Sequence, residues 1–481
     1  MSDEGHAGGG ARRILLNAGY LTIADLAGKF ASFALYVFMA RKLGASDFGI
    51  FTFSFVFVSL VTMPATFGQD SLLTREVAKD RTQADLYFSN MLGLKVSLAV
   101  PALGIGLAVL SATSSEKTVA VSVVLGLGAI AQLLMNTCFA IFQSFERLGP
   151  PAVVLISQRL LTAALGIGLL AAGVGVLGVS LVFLGTGVLA LCLAVALMFR
   201  MIVRASLKID VTTWRSLMRA AIPIGIASTA SLVLFRIDTV MLAAFKPARD
   251  VGNYGAAYRL LETTLFLTWS VSAAVFPLFA RLTSASEPRL GVVLERALKL
   301  VSAFTLPLAA GAALFAGQVV HLLYGDQYTR AENALSLLAP AIALYPLAYL
   351  AGELLVAQQR QAPVTITYLV VAAENILLNL VLIPRWSLDG AAVGTSISEL
   401  LVAISLVYFS LRHVGHLNWR RVLAGPLVST AIALGVIEAL KGTFVVALVA
   451  GVLVYGCLLL GFERRAFPED ARVFLSVVRR S

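Results

Sequence analysis

The stretch AGYLTIADLAGKFASFALYVFMA, residues 18–40, decides how the chain is read. It is apolar and long enough to cross ~30 Å of hydrocarbon as a helix, yet it contains Asp25 and Lys29. A charge at the bilayer centre costs about 2.5–3.5 kcal/mol on insertion scales, so two unmatched charges would threaten insertion. Their spacing resolves the conflict. Thr22, Asp25, Lys29, Ser32 and Tyr36 recur at steps of three and four, which places them on one stripe of a helix. Asp25 and Lys29 stand one turn apart and can offset each other's charge. Such a stripe faces protein or water and predicts a membrane helix built into a bundle.

The remainder of the chain follows the same pattern. Of its 481 residues 59% are hydrophobic and 13% charged, too little charge to cover the cores of a soluble chain this long. Apolar stretches recur from end to end and predict an all-α membrane protein with about 14 transmembrane helices. The expected organisation begins with a cytoplasmic tail (1–17), an N-terminal six-helix lobe (18–203) and an interfacial linker (204–219). A C-terminal six-helix lobe (220–411), two additional transmembrane helices (412–462) and a basic cytoplasmic tail (463–481) complete it. In the linker, Leu207, Val211, Trp214, Leu217 and Met218 alternate with cations as in an amphipathic helix lying on a membrane surface. The two lobes repeat each other. DFGIF at 47–51 corresponds to DVGNY at 250–254, RLGP at 147–150 to RQAP at 360–363, and Gly178 to Gly390. A parallel repeat predicts a substrate path between lobes near the midplane.

The net charge of +11 comes from 37 Lys and Arg against 26 Asp and Glu. The excess concentrates on segments that a cytoplasmic N-terminus leaves inside, notably 200–219 and 464–480. That skew predicts cytoplasmic termini and accounts for the basic balance without a nucleic-acid partner, since no aromatic stacking platform accompanies it. Cys138, Cys192 and Cys457 fall in apolar spans without paired spacing, which argues against a disulfide framework and against a metal site. No phosphate-binding loop, zinc-protease motif or nucleophile elbow is legible, so the expectation is a carrier without cofactor and not an enzyme. The first apolar run is too long for a cleaved leader and is expected to be retained.

Charges inside the spans divide unevenly. The first lobe carries Lys29, Lys95 and Arg159 against Asp25; the second carries Arg236 and Arg259 against Asp238, Glu262, Glu353, Glu374 and Glu399. Arg259 and Glu262 are three residues apart and are expected to pair. Arg159 and Glu374 have no opposite charge one turn away, which marks them as functional candidates. The amides Gln132 and Asn136 share one helix face, as do Asn375 and Asn379. Singly, these amides also suit interhelical hydrogen bonds that only fix packing.

Longer patterns carry a resemblance. ARKLGASDFGIFTF (40–53), AAIPIGIASTASLVLFRIDTVML (220–242), DVGNYGAAYRLLE (250–262), FP (276–277) and LIPRWSLDGAAVGTSISE (382–399) occur in order. In these the chain resembles the polysaccharide-transport branch of the multidrug/oligosaccharidyl-lipid/polysaccharide exporter superfamily, the Wzx-type flippases. The resemblance implies flipping of an undecaprenyl-diphosphate-linked oligosaccharide across the bacterial inner membrane by alternating access, for surface polysaccharide biosynthesis. A polyprenyl diphosphate would meet Lys29, Arg159, Arg236 and Arg259, with Gln132 and Asn136 beside them. Coupling to H+ or Na+ would fall to Asp25, Glu262, Glu374, Asn375 and Asn379. Membrane lipids would surround the protein, with a polysaccharide polymerase complex as a candidate partner. The acidic excess of the second lobe departs from a uniformly cationic lumen and keeps a multidrug/cation antiporter of the same superfamily as the alternative. A polytopic polymerase or ligase would need a large outer loop, and none is legible.

Overall fold

The computed structural model describes residues 4–202, 209–284, 289–440 and 444–467, with side chains from residue 26 onward except at 213, 223, 224, 284, 444 and 445. Its helices are α1 (Glu4–Val61), α2 (Gln69–Lys79), α3 (Ala84–Thr113), α4 (Glu116–Ser144), α5 (Gly149–Ala171), α6 (Val176–Met201), α7 (Val211–Phe245) and α8 (Ala248–Ser284). They continue with α9 (Leu290–Leu314), α10 (Ala316–Tyr324), α11 (Thr329–Ala357), α12 (Gln361–Trp386), α13 (Leu388–Val414), α14 (Trp419–Ala439) and α15 (Phe444–Ala466). Hydrocarbon offers no partner to backbone N–H and C=O groups, and helices satisfy them internally, which is why apolar sequence of this length folds this way. Interior prolines such as Pro101, Pro277 and Pro340 do not end their helices. Ser115 caps α4 by accepting from the Thr118 N–H, and Asn418 caps α14 by accepting from the Arg421 N–H.

Thirteen helices among the described residues are long and apolar enough to cross a membrane, and the chain is a multi-pass membrane protein. The count falls short of fourteen for one reason. The first two expected spans share α1, whose backbone breaks at Gly44 with φ 74° and ψ 169°. A straight helix over the 36 residues Leu26–Val61 would run ~54 Å, nearly twice the hydrocarbon thickness. A glycine adopts that φ without strain and lets the helix change direction there.

The chain forms two compact units: Met1–Ala243 with Pro247–Gly252, and Ala244–Lys246 with Asn253–Ser481. Most of α7 therefore belongs to the first unit, although the repeat begins the second lobe at 220. Packing explains it. Trp214 Nε1 donates to Asn90 Oδ1 at 3.2 Å, and the Asp210 N–H donates to the same oxygen at 2.7 Å. Leu217 and Ala221 enter the core formed by Leu72, Leu73, Phe88 and Met91, with Trp214 and Met218 packed against it. Residues 203–208 lie outside the described residues. Residues 211–219 open α7 and continue it, so Trp214, Leu217 and Met218, expected on a separate surface helix, instead pack on α2 and α3, while Val211 is exposed and Leu207 lies outside the described residues.

In the second unit α11 packs against α9 and α13, and α14 packs against α9 and α15. The Asn418 N–H donates to Glu295 Oε1 at 2.6 Å, and buried Lys299 on α9 forms an ion pair with buried Glu463 on α15. The two helices beyond the repeat are tied to α9 by these contacts.

Candidate functional site

Within the first unit lies a cavity of about 490 Å³ walled chiefly by α1, α4, α5 and α6, in the size range of small-ligand sites. Arg159, Gln132, Asn136 and Gln158 line it together with Ser32, Tyr36, Thr62, Thr66 and Thr162. Its apolar wall includes Leu35, Phe55, Val58, Leu125 and Phe183. Glycines bring the helices close. A Cβ on Gly28 would stand 3.3 Å from Cδ of Arg159, so α1 crosses α5 against the arginine stem.

The amides form a chain. Gln158 Nε2 donates to Gln132 Oε1 at 3.3 Å, and Gln132 Nε2 donates to Asn136 Oδ1 at 3.2 Å. Behind them the Thr162 hydroxyl donates to the Gln158 carbonyl at 2.7 Å and meets the Thr186 hydroxyl at 2.8 Å. Tyr36 and Phe51 each pack on Phe183, with the Phe51 and Phe183 ring centroids 5.2 Å apart. A planar cationic fork, a row of amides and aromatic faces are the groups that suit a ligand with both an anionic and a hydroxyl-rich part.

The expected site residues do not all meet. Arg159, Gln132 and Asn136 line the cavity, and Ser32 and Tyr36 bring the polar stripe of α1 to it. Lys29 is half-buried on α1 and is absent from the lining, as is half-buried Arg236 on α7. Arg259 belongs to the second unit, where its Nη1 lies 2.7 Å from Glu262 Oε2, the pairing their spacing predicts. The Asp25 side chain, and with it the expected Asp25–Lys29 pair, lies outside the described residues. Glu374, Asn375 and Asn379 do come together. Asn379 Nδ2 donates to Asn375 Oδ1 at 2.9 Å, Asn375 Nδ2 to Ser398 Oγ at 3.0 Å, and Ser398 Oγ to Glu374 Oε2 at 2.9 Å.

The comparisons with known proteins agree with this membrane architecture. Residues 14–283, more than half of the chain, match the family described as polysaccharide biosynthesis protein. The chain belongs to that family. Residues 223–381 also match the MatE family. A relative in Haloferax volcanii, the probable low-salt glycan biosynthesis flippase Agl15, is 23% identical over 385 residues, covering 79% of each chain. Among solved structures, the lipid II flippase MurJ in an inward closed conformation superposes with a TM-score of 0.78 at 15% identity, over 93% of this chain and 99% of that one. An inward-facing multidrug resistance transporter of the MATE family has a TM-score of 0.66 at 17% identity, over 80% and 94%. At these identities the two structures establish a shared fold.

Two features of this polysaccharide biosynthesis family member escape sequence reasoning. Gln158 and Thr162 sit beside and one turn from Arg159, but isolated hydroxyls and amides in an apolar helix carry no signal of their own. Lys95 has a partner in Asp70, whose Oδ1 is 2.5 Å from its Nζ; the two are 25 residues apart on different helices. Only the presence of an unmatched cation in an apolar run pointed there.

Proposed function

We propose that the protein flips an oligosaccharide linked to a polyprenyl diphosphate, undecaprenyl in a bacterial inner membrane, by alternating access for surface polysaccharide biosynthesis. The observation that carries the reading is Arg159 lining a cavity beside the Gln158–Gln132–Asn136 chain in a member of this family. A guanidinium stays charged throughout the physiological range and binds phosphate oxygens bidentately, while amides can both donate to and accept from sugar hydroxyls. The similarity to Agl15 supports a glycan-linked lipid as cargo. Lys29, Arg236 and Arg259 are secondary candidates for the anion.

Ion coupling is assigned to the ladder of Glu374, Asn375 and Asn379, because a carboxylate in a buried hydrogen-bonded row can exchange a proton or hold Na+. Glu262, held by Arg259, and Asp25 are the weaker members of that set. The protein acts as a carrier, with both termini cytoplasmic by the charge skew.

The deciding experiment reconstitutes the purified protein in liposomes with a fluorescent lipid-diphosphate oligosaccharide and follows its movement between leaflets. Flipping by the wild type and its loss in Arg159→Ala support the reading; undiminished flipping in Arg159→Ala removes Arg159 from it. In the same vesicles Glu374→Gln should flip without responding to an imposed pH or sodium gradient. A wild-type gradient response in that variant ends the coupling assignment.

A further inference from the structure

The two repeats build the same turn and use its arginine differently. Arg147 and Arg360 hold equivalent places before α5 and α12. Each follows a residue in the left-handed conformation, Glu146 with φ 60° and Gln359 with φ 61°. The Arg147 N–H donates to the Phe142 carbonyl and the Arg360 N–H to the Leu355 carbonyl, both at 2.9 Å. In the first repeat the side chain serves the fold: Arg147 Nη1 donates to the Met201 carbonyl at 3.3 Å and so closes the end of α6. In the second, the Arg360 guanidinium has no hydrogen-bond or ion-pair partner among the described residues.

Arg360 instead meets other cations. Asn375 Nδ2 donates to Ser398 Oγ, and a Cβ on Gly394 would stand 2.7 Å from Asn379 Oδ1. These contacts run α12 and α13 antiparallel in a register that brings Arg360 level with His413. The charges of Arg360 and Arg412 both reach the His413 imidazole. All three side chains are exposed, and Arg412 and His413 occupy the last turn of α13. Neither arginine has a carboxylate partner among the described residues, and the first turn of α12 holds no acidic residue. The helix dipole favours Arg412 at a C-terminus but opposes Arg360 at an N-terminus.

The cluster stands where the membrane ends. Arg360 immediately precedes α12, and Arg412 and His413 close α13, both helices long and apolar enough to cross a bilayer. From Arg412, the exposed residues Tyr408, Ile404 and Leu401 follow at steps of four, four and three along one face of α13. The Arg412 guanidinium lies 4.8 Å from the Tyr408 ring centroid, which anchors the charge at the head of that stripe. From Arg412 to Leu401 the stripe runs ~16 Å, about the depth of one leaflet.

We infer that Arg360, Arg412 and His413 bind the phosphate of an anionic diacyl phospholipid, with one acyl chain lying along Tyr408, Ile404 and Leu401. The site is independent of cargo recognition at Arg159, and its ligand is a lipid of the surrounding bilayer. Each guanidinium can present paired N–H groups to phosphate oxygens, and the imidazole adds a further donor. The phosphodiester charge offsets the repulsion between the two arginines. A zwitterionic headgroup would bring a further cation to a cluster that already has an excess. A stripe one leaflet deep matches a diacyl lipid, whose chains end at the midplane.

The test is native mass spectrometry of the delipidated full-length protein in detergent, with lipids titrated back and the affinity of the first bound lipid measured. The wild type should bind phosphatidylglycerol about tenfold or more tightly than phosphatidylcholine. Arg360→Ala with Arg412→Ala should lose that preference. Removing the same charge at the exposed Arg464 and Arg465 of α15, each replaced by alanine, should leave it intact. Equal affinity of the wild type for the two lipids overturns the inference, and that comparison needs no variant to fold. Equal losses in the two double variants overturn it as well, since they would mean diffuse attraction to a basic surface. Displacement of phosphatidylglycerol by millimolar inorganic phosphate would mark a site for free phosphate, and displacement by an equimolar polyprenyl diphosphate a docking point for cargo. Either result overturns the assignment to a phospholipid.

Discussion

Gly49 and Gly252, equivalent positions of the two repeats, pack backbone against backbone in the first compact unit. A Cβ on Gly49 would stand 1.8 Å from the Ala248 carbonyl oxygen and 2.8 Å from the Gly252 nitrogen. A Cβ on Gly252 would stand 1.8 Å from the Ala45 carbonyl oxygen and 3.0 Å from the Gly49 nitrogen. Neither obstacle is a side chain that can turn away. Each repeat supplies its glycine to the other's backbone.

Alanine at either position should therefore force the segments apart and destabilise the protein by about 1–3 kcal/mol or more, the usual range for overpacking. The double variant should cost less than the sum, since the first substitution already opens the contact. Thermal unfolding of the detergent-purified variants measures both effects. Wild-type stability in Gly49→Ala would show that the contact is dispensable.

Arg159→Lys keeps the charge but loses the planar fork. If the cavity binds diphosphate through paired N–H groups, transport should fall by about tenfold or more, matching a loss of about 1.5–3 kcal/mol for a hydrogen bond to a charged group. Arg159→Ala should fall further. Initial flipping rates in liposomes separate the two, and equal rates for Lys and Arg would mean that charge alone matters.

The Lys299–Glu463 pair is 3% exposed on each side and has the Phe467 ring 4.2 Å from the ammonium. Removing one partner strands a buried charge, so Lys299→Met or Glu463→Gln alone should lose about 3–5 kcal/mol. The joint replacement Lys299→Met with Glu463→Leu should recover most of it. Melting temperatures of the three proteins check the expectation; a double variant as weak as the singles would mean that the pair contributes more than charge balance.

On the connection after α1, the Lys79 ammonium and, next, Arg75 hold the Glu76 carboxyl below its ordinary value. The Thr82 hydroxyl and the Gln83 amide do the same for Asp80. Folded values depressed in this way add stability that is present above the unfolded values and lost as pH falls through the folded ones. Both carboxylates are at the surface, so the effect is local fraying. Amide hydrogen exchange at residues 80–83 should quicken in acid relative to neutral pH after correction for intrinsic rates. The double replacement Glu76→Gln with Asp80→Asn should abolish that difference.

Topology has a direct test. Cysteines placed at Ser46 and Arg249, after replacement of the exposed Cys192 and Cys457, should react with an impermeant thiol reagent from outside. Protection of both positions in intact, outer-permeabilised cells would refute cytoplasmic termini.

Much of the architecture was legible because hydrocarbon is a demanding solvent. Runs of about 20 apolar residues have few alternatives to helices, and polar residues at steps of three and four declare the faces turned inward. That logic marked Ser32, Tyr36, Gln132 and Asn136 as inward-facing and paired Arg259 with Glu262, but it expected a cavity between the lobes, and only the structure put these four side chains on one cavity within the first unit. It did not foresee that Gly44 would leave two spans on one helix, since a single glycine in an apolar run shows no dihedral angle. Nor did it foresee that Leu217 would be buried in the protein, with Trp214 and Met218 packed beside it: an amphipathic stretch fits a membrane surface and a protein surface equally well, and Asn90, which holds this one, is 124 residues from Trp214.

Composition and residue spacing were enough to read the solvent, the helical class, the repeat and the kinds of residue available for function. Each of these depends on local composition and spacing. The partners came from folding in three dimensions: Asp70 for Lys95, Glu463 for Lys299, Gln158 for Gln132, and Gly252 for Gly49. Such pairings depend on which helix faces meet. Those faces are selected by the packing of many apolar side chains at once, a property that no single stretch of sequence contains.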